Sequence, residues 1–369
     1  MKIVIFGLTI SSSWGNGHAT LWRGLCKALA RRNHRIVFFE RDVPYYAGAR
    51  DLCEWQSGKL VLYSCWDDIH SQVHEEVRSA DVVIVTSYCP DALAAAEFLG
   101  GRALSVFYDL DTPITLASLS DGNAVPYIGP RGLRDFDLVL SYTGGTALTE
   151  LSSRLGARIA APLYGHVDPE LHQPEPPRPH YRSDLSYLGT YSADRQCGLE
   201  SYLIRPARQR PQQRFLIGGA QYPQEFPWAP NIYFVRHLPP SEHAAFFSSS
   251  RLTLNVTRAP MAHMGWCPSG RLFEAAACGV TILSDDWEGL EHFFTPVSEI
   301  LVAKRESDAL AALDLTDAEL ERIGRAARER VMADHTSERR AIELLTALEA
   351  GRYARRFSAV ERHSLPVEA

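Results

Sequence analysis

The chain has 369 residues, 46% of them hydrophobic and 22% charged, which is typical of a globular protein with two or three domains. Its formal net charge of −6 gives no overall electrostatic reason to bind nucleic acid or an acidic membrane surface. The seven cysteines show no CxxC spacing, so neither a disulfide framework nor a zinc site is indicated. The first apolar run is too short for a signal peptide, and no stretch approaches the ~18 apolar residues of a membrane span. We therefore expect a cytoplasmic protein with reduced cysteines and no integral membrane segment.

Short apolar runs alternate with helical patterns through the first part of the chain. Apolar side chains at helical spacing predict a first helix from about His18 to Arg32. The runs predicted as strands are 2–6, 35–39, 81–85, 103–107, 137–141 and 157–161. Strands this uniformly apolar are typical of a parallel sheet with helices on both faces. We assign residues 1–165 to a first Rossmann-like domain.

A proline-rich segment separates this domain from a second one. Residues 162–180 contain six prolines and show neither a helical nor a strand period, which predicts a linker over 166–182. A helix is then predicted around 195–208. The runs predicted as strands are 185–189, 214–218, 231–235, 251–256, 280–284 and 299–303. These elements indicate a second Rossmann-like domain over 183–340.

The end of the chain is helical. Thr316 with Glu319 fits a capping box, and Ser337 is placed to cap a last helix. We predict that residues 341–369 form a C-terminal helix and tail that cross back to the first domain. The predicted fold class is α/β, with two doubly wound domains facing a central cleft. Ligands of such sheets bind beyond the carboxyl ends of the strands, so we expect the site in that cleft.

The loop after the first strand is unusual. A dinucleotide fingerprint needs G-x-G-x-x-G directly between strand and helix, whereas here a long loop separates Gly7 from Gly15, Asn16 and Gly17. This spacing argues against NAD. The glycines permit close approach to a ligand, and His18 follows at the helix N-terminus, where a neutral imidazole is favoured. His18 is a candidate base, with capping or packing as the alternative.

Two carboxylates follow another predicted strand. Asp109 and Asp111 lie directly after the run 103–107. They could act as a base, bond sugar hydroxyls or hold a divalent metal. A plain turn that starts with Asp and leads into Thr112 is the alternative, and we do not predict a metal here.

Residues 271–278 are predicted to form a short helix that Ser269 and Gly270 precede and Gly279 ends. Backbone N–H groups after Ser269 and Gly270, with the guanidinium of Arg271, would form an anion site. One turn further on, the Glu274 carboxylate suits vicinal hydroxyls. Phosphate at the helix start and ribose at the glutamate would together bind a nucleoside diphosphate.

The stretch RLFEAAACGVTILSDDWEGL resembles the C-terminal nucleotide-sugar motif of the group 1 bacterial glycosyltransferases with the GT-B fold. The spore-protein-like branch of that superfamily is the most similar. The resemblance extends over most of the chain, with further support from the segments 14–46, 164–174 and 254–279.

The resemblance implies transfer of a sugar from a nucleoside-diphosphate sugar, with no cofactor and no metal. The donor would be held by the C-terminal domain, leaving the N-terminal domain on the acceptor side. Glu274 matches the family glutamate that binds the ribose. Trp266 stands where the first motif glutamate is expected. That departure leaves the donor-sugar contacts, and inversion or retention of configuration, open.

Other positions follow from the same resemblance. Arg195 would grip the pyrophosphate, with Arg258 or Arg271 as its partner. Gly218 and Gly219 would form a turn against the nucleotide, and the base would be read near His237 and Leu238. If the reaction inverts, His18 is the first candidate base and Asp109 or Asp111 the second. If it retains, these residues would orient substrates.

Three other functions remain open at this stage. One is a nucleotide-sugar epimerase on the same fold, and another is a non-catalytic nucleotide-sugar-binding scaffold. An NAD oxidoreductase is more distant because the fingerprint is absent. The sequence does not identify the acceptor, which could be a sugar, a glycan, a protein or a small molecule. Nucleic acid is not an expected partner.

Overall fold

The structure, a computed structural model, describes residues 1–364, and the surroundings of side chains as far as Phe357. Two compact units divide the chain. Unit 1 comprises Met1–Ser12, Trp22–Tyr164 and the chain from Arg340 onward. Unit 2 comprises Ser13–Leu21 and Gly165–Arg339.

Unit 1 contains a seven-stranded parallel sheet. Its strands are β1 (Lys2–Gly7), β2 (Arg35–Arg41), β3 (Lys59–Tyr63), β4 (Val82–Thr86), β5 (Leu104–Asp109), β6 (Leu138–Ser141) and β7 (Ala160–Pro162). The strand order is β3-β2-β1-β4-β5-β6-β7, so the winding reverses between β1 and β4. The strands β1, β4 and β5 are buried along nearly their whole length, as expected for a sheet covered on both faces.

Helices connect the strands of unit 1. They are α1 (Gly17–Arg31), α2 (Pro44–Ala47), α3 (Trp66–Arg78), α4 (Ala92–Ala96), α5 (Thr112–Ser120) and α6 (Thr146–Leu155). The core on one side of the sheet includes Phe6, Phe39 and Phe107. Phe6 and Phe39 stack with their ring centroids 4.9 Å apart.

Unit 2 contains a six-stranded parallel sheet. Its strands are β8 (Ser183–Leu188), β9 (Phe215–Gly219), β10 (Ile232–Arg236), β11 (Ser250–Asn255), β12 (Thr281–Asp285) and β13 (Leu301–Ala303). The order is β10-β9-β8-β11-β12-β13, so the winding reverses between β8 and β11. Both sheets therefore have the doubly wound arrangement.

Apart from the last two, the helices of the second half have eight residues or fewer. They are α7 (Gln196–Leu199), α8 (Arg205–Gln209), α9 (His243–Ser248), α10 (Ala259–Met264), α11 (Gly270–Ala277), α12 (Leu290–Phe293), α13 (Glu306–Leu313), α14 (Asp317–Asp334) and α15 (Ser337–Ser364). Three 3-10 turns lie at Pro179–Tyr181, Ala193–Arg195 and Pro240–Glu242.

A π-helical turn, Glu200–Ile204, joins α7 to α8. The amide of Arg205 donates to the carbonyl of Glu200, five residues back. Pro206 has no N–H to donate to Tyr202 four residues earlier, so an ordinary α-helical ladder could not continue there in any case.

The last helix returns to unit 1. The two Nη atoms of Arg355 donate to the carbonyls of Ala103 and Gly101, each at 2.6 Å. Arg352 donates to the carbonyl of Asp81 at 3.2 Å. Residues of α15 thus tie down the loops before β4 and β5, and the predicted return of the C-terminal helix to the first domain is confirmed.

The prediction that Ser337 caps this helix is wrong. The Thr336 hydroxyl accepts from the Arg339 amide at 3.3 Å, which is the capping contact. Ser337 is instead the first helical residue, and its hydroxyl donates to the carbonyl of Val167 at 3.1 Å. The capping box of Thr316 and Glu319 is confirmed.

The predicted α/β class with two doubly wound sheets is confirmed. All six strands predicted in the second half are present, but β3 of unit 1 was not predicted. Within residues 1–364, no helix is both long and apolar enough to cross a membrane. All seven cysteines, which lie inside that range, are free thiols.

Candidate functional site

The ends of the neighbouring strands β8 and β9, on one side of the reversal in unit 2, approach each other closely through glycines. Gly219 ends β9 with φ +153°, and a Cβ there would lie 2.0 Å from the carbonyl oxygen of Gly189, just after β8. The Gly189 amide donates to the carbonyl of Gly218 at 2.8 Å. Glycine is thus required for the contact between these two buried strand ends, beside the reversal where doubly wound sheets bind ligands.

Arginines flank this point. Arg195 follows β8, Arg258 follows β11 and Arg271 lies in the first turn of α11. Burial lowers the pKa of Arg195, and the like charges of Arg271 and Arg258 lower it further, so both lie within electrostatic range of Arg195. Arg258 pairs with Asp194 at 3.1 Å. Arg195 is thus influenced by both of the arginines that the sequence left open as its partner, and we call these three residues the arginine cluster.

Arg195 is poorly satisfied within this cluster. Its Nη1 donates to the carbonyl of Thr190 at 3.2 Å, but its buried Nε has no hydrogen-bond partner among the described residues. The neighbouring Tyr187 hydroxyl is buried and likewise lacks a partner. A buried cation and a hydroxyl with spare donors are well suited to bind an anion.

The N-terminus of α11 contributes backbone donors. Ser269 is its N-cap, and the Ser269 hydroxyl accepts from the Arg271 amide at 3.4 Å. Leu272 and the alanines at 275–277 are buried, because small side chains let this helix lie against its neighbours. The eight-residue helix predicted from the glycine and the apolar pattern is therefore present, with its N–H groups beside the arginine of its first turn.

Glu274 lies one turn further along α11 and contacts two histidines. Its Oε2 is 3.4 Å from Nδ1 of His243 and 3.9 Å from Nε2 of His172. Burial opposes ionisation of Glu274 most strongly, but attraction to the two histidines and Arg271 prevails and lowers its pKa to about 2. Burial lowers the pKa of His172. Glu274 is therefore a carboxylate at neutral pH, with 15% of its side chain exposed.

The glycine loop near the N-terminus belongs to unit 2. The ring of Trp14 lies 3.8 Å from that of His237, centroid to centroid. His237 has φ +51°, and its amide donates to the carbonyl of Gly219 at 2.8 Å. The side chain of Asn16 accepts from the His18 amide at 2.9 Å. Gly15, Gly17 and half-buried His18 thus occur in the same unit as the strand end at His237, with Leu238 buried beside it.

The two predicted aspartates lie in unit 1. Asp109 is fully buried at the end of β5, and one of its oxygens accepts from the Asp111 amide and the Thr115 hydroxyl, both at 3.1 Å. Its other oxygen has no hydrogen-bond partner among the described residues. Burial raises the pKa of Asp109 to about 6. Asp111 is half-buried at the start of α5.

Trp266 occupies a turn that its neighbours constrain. It has φ +49°, and its amide donates to the carbonyl of Glu288 at 2.7 Å. Its indole lies over Gly289, where an added Cβ would be 2.6 Å from the ring. Trp266 therefore has a packing role in this turn.

Sequence reasoning missed His172, His243, Tyr187 and Tyr222, whose hydroxyl donates to the carbonyl of Gly189 at 3.0 Å. No local spacing joins either histidine to Glu274, and both tyrosines sit in stretches that predict only strand or loop. The proline-rich segment 162–180 was interpreted as a linker, although it carries His172.

Comparison with solved structures identifies the fold. Sucrose-phosphate synthase from Thermosynechococcus elongatus matches with a TM-score of 0.68 at 15% identity, covering 97% of this chain and 100% of that one. Anabaena HepE in complex with UDP and glucose matches at 0.68 and 12%, covering 95% and 100%. T4 phage BGT in complex with UDP-glucose matches at 0.59 and 13%, covering 94% and 99%.

The chain thus has the GT-B fold of glycosyltransferases. Residues 195–346 match the model of the family described as "Glycosyl transferase-like". The match includes the three arginines, the N-terminus of α11 and Glu274. No curated protein matches the chain by sequence. Assignment to the spore-protein-like branch stays a prediction.

Proposed function

We propose that the protein transfers a sugar from a nucleoside-diphosphate sugar to an acceptor, without a metal at the diphosphate. The observation that carries this proposal is the cluster of Arg195, Arg258 and Arg271 at the strand reversal of unit 2, inside the segment that matches a glycosyltransferase family. A protein that binds no anion here would gain nothing from a partly buried arginine whose Nε has no hydrogen-bond partner among the described residues.

In this proposal, the nucleoside-diphosphate sugar binds to residues of unit 2. The diphosphate lies against the arginines and the first N–H groups of α11. The ribose hydroxyls donate to the carboxylate of Glu274, which its low pKa keeps ionised. The backbone at Gly218 and Gly219 lets the nucleotide approach closely, and the base lies near His237 and Leu238.

This arrangement stabilises the leaving group. Cleavage of the glycosidic bond to the diphosphate places negative charge on its oxygens. Fixed guanidinium and N–H donors aimed at that charge lower the barrier, and removing one such donor typically costs roughly 10²–10³ in turnover. The positive charge comes from side chains, so the proposal requires no cation at the diphosphate.

The acceptor side needs a group that positions or deprotonates a hydroxyl. His18, Asp109 and Asp111 remain the candidates for it. A carboxyl with its pKa near 6, as in Asp109, changes protonation close to neutral pH and fits either an acid or a base. Inverting and retaining mechanisms both remain compatible with these residues.

The ligands in the matched solved structures indicate which donor nucleotide to test first. The matched structures of HepE and BGT contain UDP or UDP-glucose, so a uridine donor is the first to test. The acceptor of the present chain is not specified by these likenesses.

The experiment is an assay of nucleotide release and sugar transfer with purified full-length protein in EDTA. UDP-glucose, UDP-N-acetylglucosamine and their GDP, dTDP and ADP counterparts are incubated with and without a panel of sugar, glycan and peptide acceptors. Release of UDP that depends on an acceptor, together with a glycosylated product, is the expected result. Epimerised donor without acceptor would replace the proposal by an epimerase. Donor binding with no turnover against any acceptor would favour a scaffold.

A further inference from the structure

Three side chains of unit 2 place metal-ligating atoms together. His172 comes from the segment after Gly165, His243 is the first residue of α9 and Glu274 lies in α11. One ligand atom from each lies within 4.8 Å of the others. The Glu274 Oε2 is the shared neighbour, 3.4 Å from His243 Nδ1 and 3.9 Å from His172 Nε2.

Packing and hydrogen bonding within the protein do not explain why the imidazole of His172 is buried. The residue is 2% exposed, and neither ring nitrogen has a hydrogen-bond partner among the described residues. Burying a polar ring without partners opposes folding. A bound cation on Nε2 would give this imidazole a closer partner than the Glu274 oxygen, which lies 3.9 Å away.

The geometry points to a site for one divalent transition-metal ion at His172, His243 and Glu274, and we propose that Zn²⁺ is the ion best matched. Two imidazoles and one carboxylate form a donor set that Zn²⁺ takes readily, with the fourth position open to water.

The ligands are held in place before any ion binds. The His172 amide donates to the carbonyl of Asp168 at 3.0 Å, which fixes the turn that carries it. Glu274 is flanked by the buried residues Phe273 and Ala275 of α11. The side chains of His243 and Glu274 are 16% and 15% exposed, whereas Nδ1 of His243 and Nε2 of His172 are buried, so the site lies just beneath the surface.

Occupancy would have a consequence for the proposed donor site. Glu274 is the carboxylate that we assign to the ribose, and a metal on its Oε2 would compete for the same lone pairs. The metal would therefore weaken donor binding. The metal site itself depends only on these three residues and not on the proposed function.

The test is metal binding by the full-length protein after stripping with EDTA and removal of the chelator. Zn²⁺ alone is titrated against a chromophoric chelator, and Co²⁺ alone is followed by its visible absorption. We expect one equivalent bound, a Co²⁺ spectrum of a four-coordinate nitrogen and oxygen site, and a Kd weakened about tenfold or more in His172→Ala and in His243→Ala. His180→Ala, which changes an exposed histidine outside the cluster, should bind as the parent does.

Several outcomes would overturn the proposal. The first is failure of the parent protein to bind Zn²⁺ or Co²⁺. The second is unchanged affinity in folded His243→Ala, which decides the matter even if His172→Ala does not fold. The third is a Co²⁺ spectrum with thiolate charge-transfer bands, which would move the ion to the exposed Cys53, Cys65 or Cys197. The histidines would then serve only to hold Glu274.

Titration of UDP in EDTA separates this inference from the proposed function. UDP binding without metal binding would refute the metal site alone. Metal binding without UDP binding would refute the donor site alone. If both bind, Zn²⁺ should weaken UDP binding in the parent and leave it unchanged in His243→Ala.

Discussion

Replacing Arg195 by Met tests the role of its guanidinium in donor binding apart from its role in the stability of the fold. The guanidinium is partly buried, its Nε has no hydrogen-bond partner, and its neighbours Arg258 and Arg271 carry the same charge. Met retains most of the apolar stem, so packing is largely preserved. The substitution removes one hydrogen bond, to the carbonyl of Thr190, and at the same time relieves repulsion within the cluster.

The two effects on stability oppose each other. The guanidinium is a charged donor, and a hydrogen bond from such a donor contributes about 1.5–3 kcal/mol. Burial and the like charges of Arg271 and Arg258 oppose the charge of Arg195 and offset part of that contribution, so the free energy of unfolding should fall by less than about 3 kcal/mol. Loss of a charged donor to a diphosphate should cost about 1.5–3 kcal/mol of binding, which is roughly 10- to 150-fold in Kd.

The assay combines calorimetric titration of UDP with urea unfolding of the free protein. Arg208→Met is the matched control, because exposed Arg208 also donates to one backbone carbonyl, that of Pro227, at 3.2 Å. The control should bind UDP as the parent does. Unchanged UDP affinity in folded Arg195→Met, or equal losses in both variants, would refute the assignment of the cluster to the diphosphate.

Four other changes test separate parts of the account. Glu274→Gln should weaken UDP binding by at least about 1 kcal/mol in calorimetry, since a neutral amide is a poorer acceptor for ribose hydroxyls, and an unchanged Kd would remove the ribose assignment. Asp109→Asn should raise the free energy of unfolding at pH 7 by roughly 2–3 kcal/mol and leave it unchanged below pH 4. The sign follows from the pKa of the Asp109 carboxyl, which burial raises to about 6 in the folded protein. The free energy of unfolding of the parent therefore falls as the pH rises from the unfolded-state pKa through 6. A difference between parent and variant in urea unfolding that does not depend on pH would contradict this. Gly219→Ala should destabilise the protein by about 2 kcal/mol or more, because its Cβ would meet a backbone oxygen at 2.0 Å, whereas Gly48→Ala has open space and should be near neutral in thermal unfolding. His18→Ala should reduce turnover about 10²-fold if His18 is the base, and near-normal turnover would exclude it from that role.

Strand positions in this protein could be predicted where both faces of the strand are buried. Runs such as 3–6 and 82–85 are apolar throughout because helices cover both faces of the sheet. Strand β3 was missed because it lies at the edge of the sheet, and its Leu62 is 41% exposed. Residues 60–63 are nonetheless all apolar, so the sequence did carry a strand signal at this position.

The donor-side residues could be predicted in part because the signals are local. The order Ser269, Gly270, Arg271, Glu274 specifies a helix start, an anion site and a carboxylate one turn further on. The contact of Glu274 with His172 and His243 could not be predicted, since the histidines are 102 and 31 residues away in sequence. Only the folded sheet brings these segments together.

The most direct test of the central claim is a calorimetric comparison of UDP with uridine, in EDTA, on the full-length protein. The two ligands share base and ribose and differ in the diphosphate that the arginine cluster is proposed to bind. The account predicts that UDP binds at least about 10²-fold more tightly than uridine, and that raising the salt concentration reduces the difference. Equal affinities, or no binding of UDP at all, would contradict a nucleoside-diphosphate site at Arg195, Arg258 and Arg271.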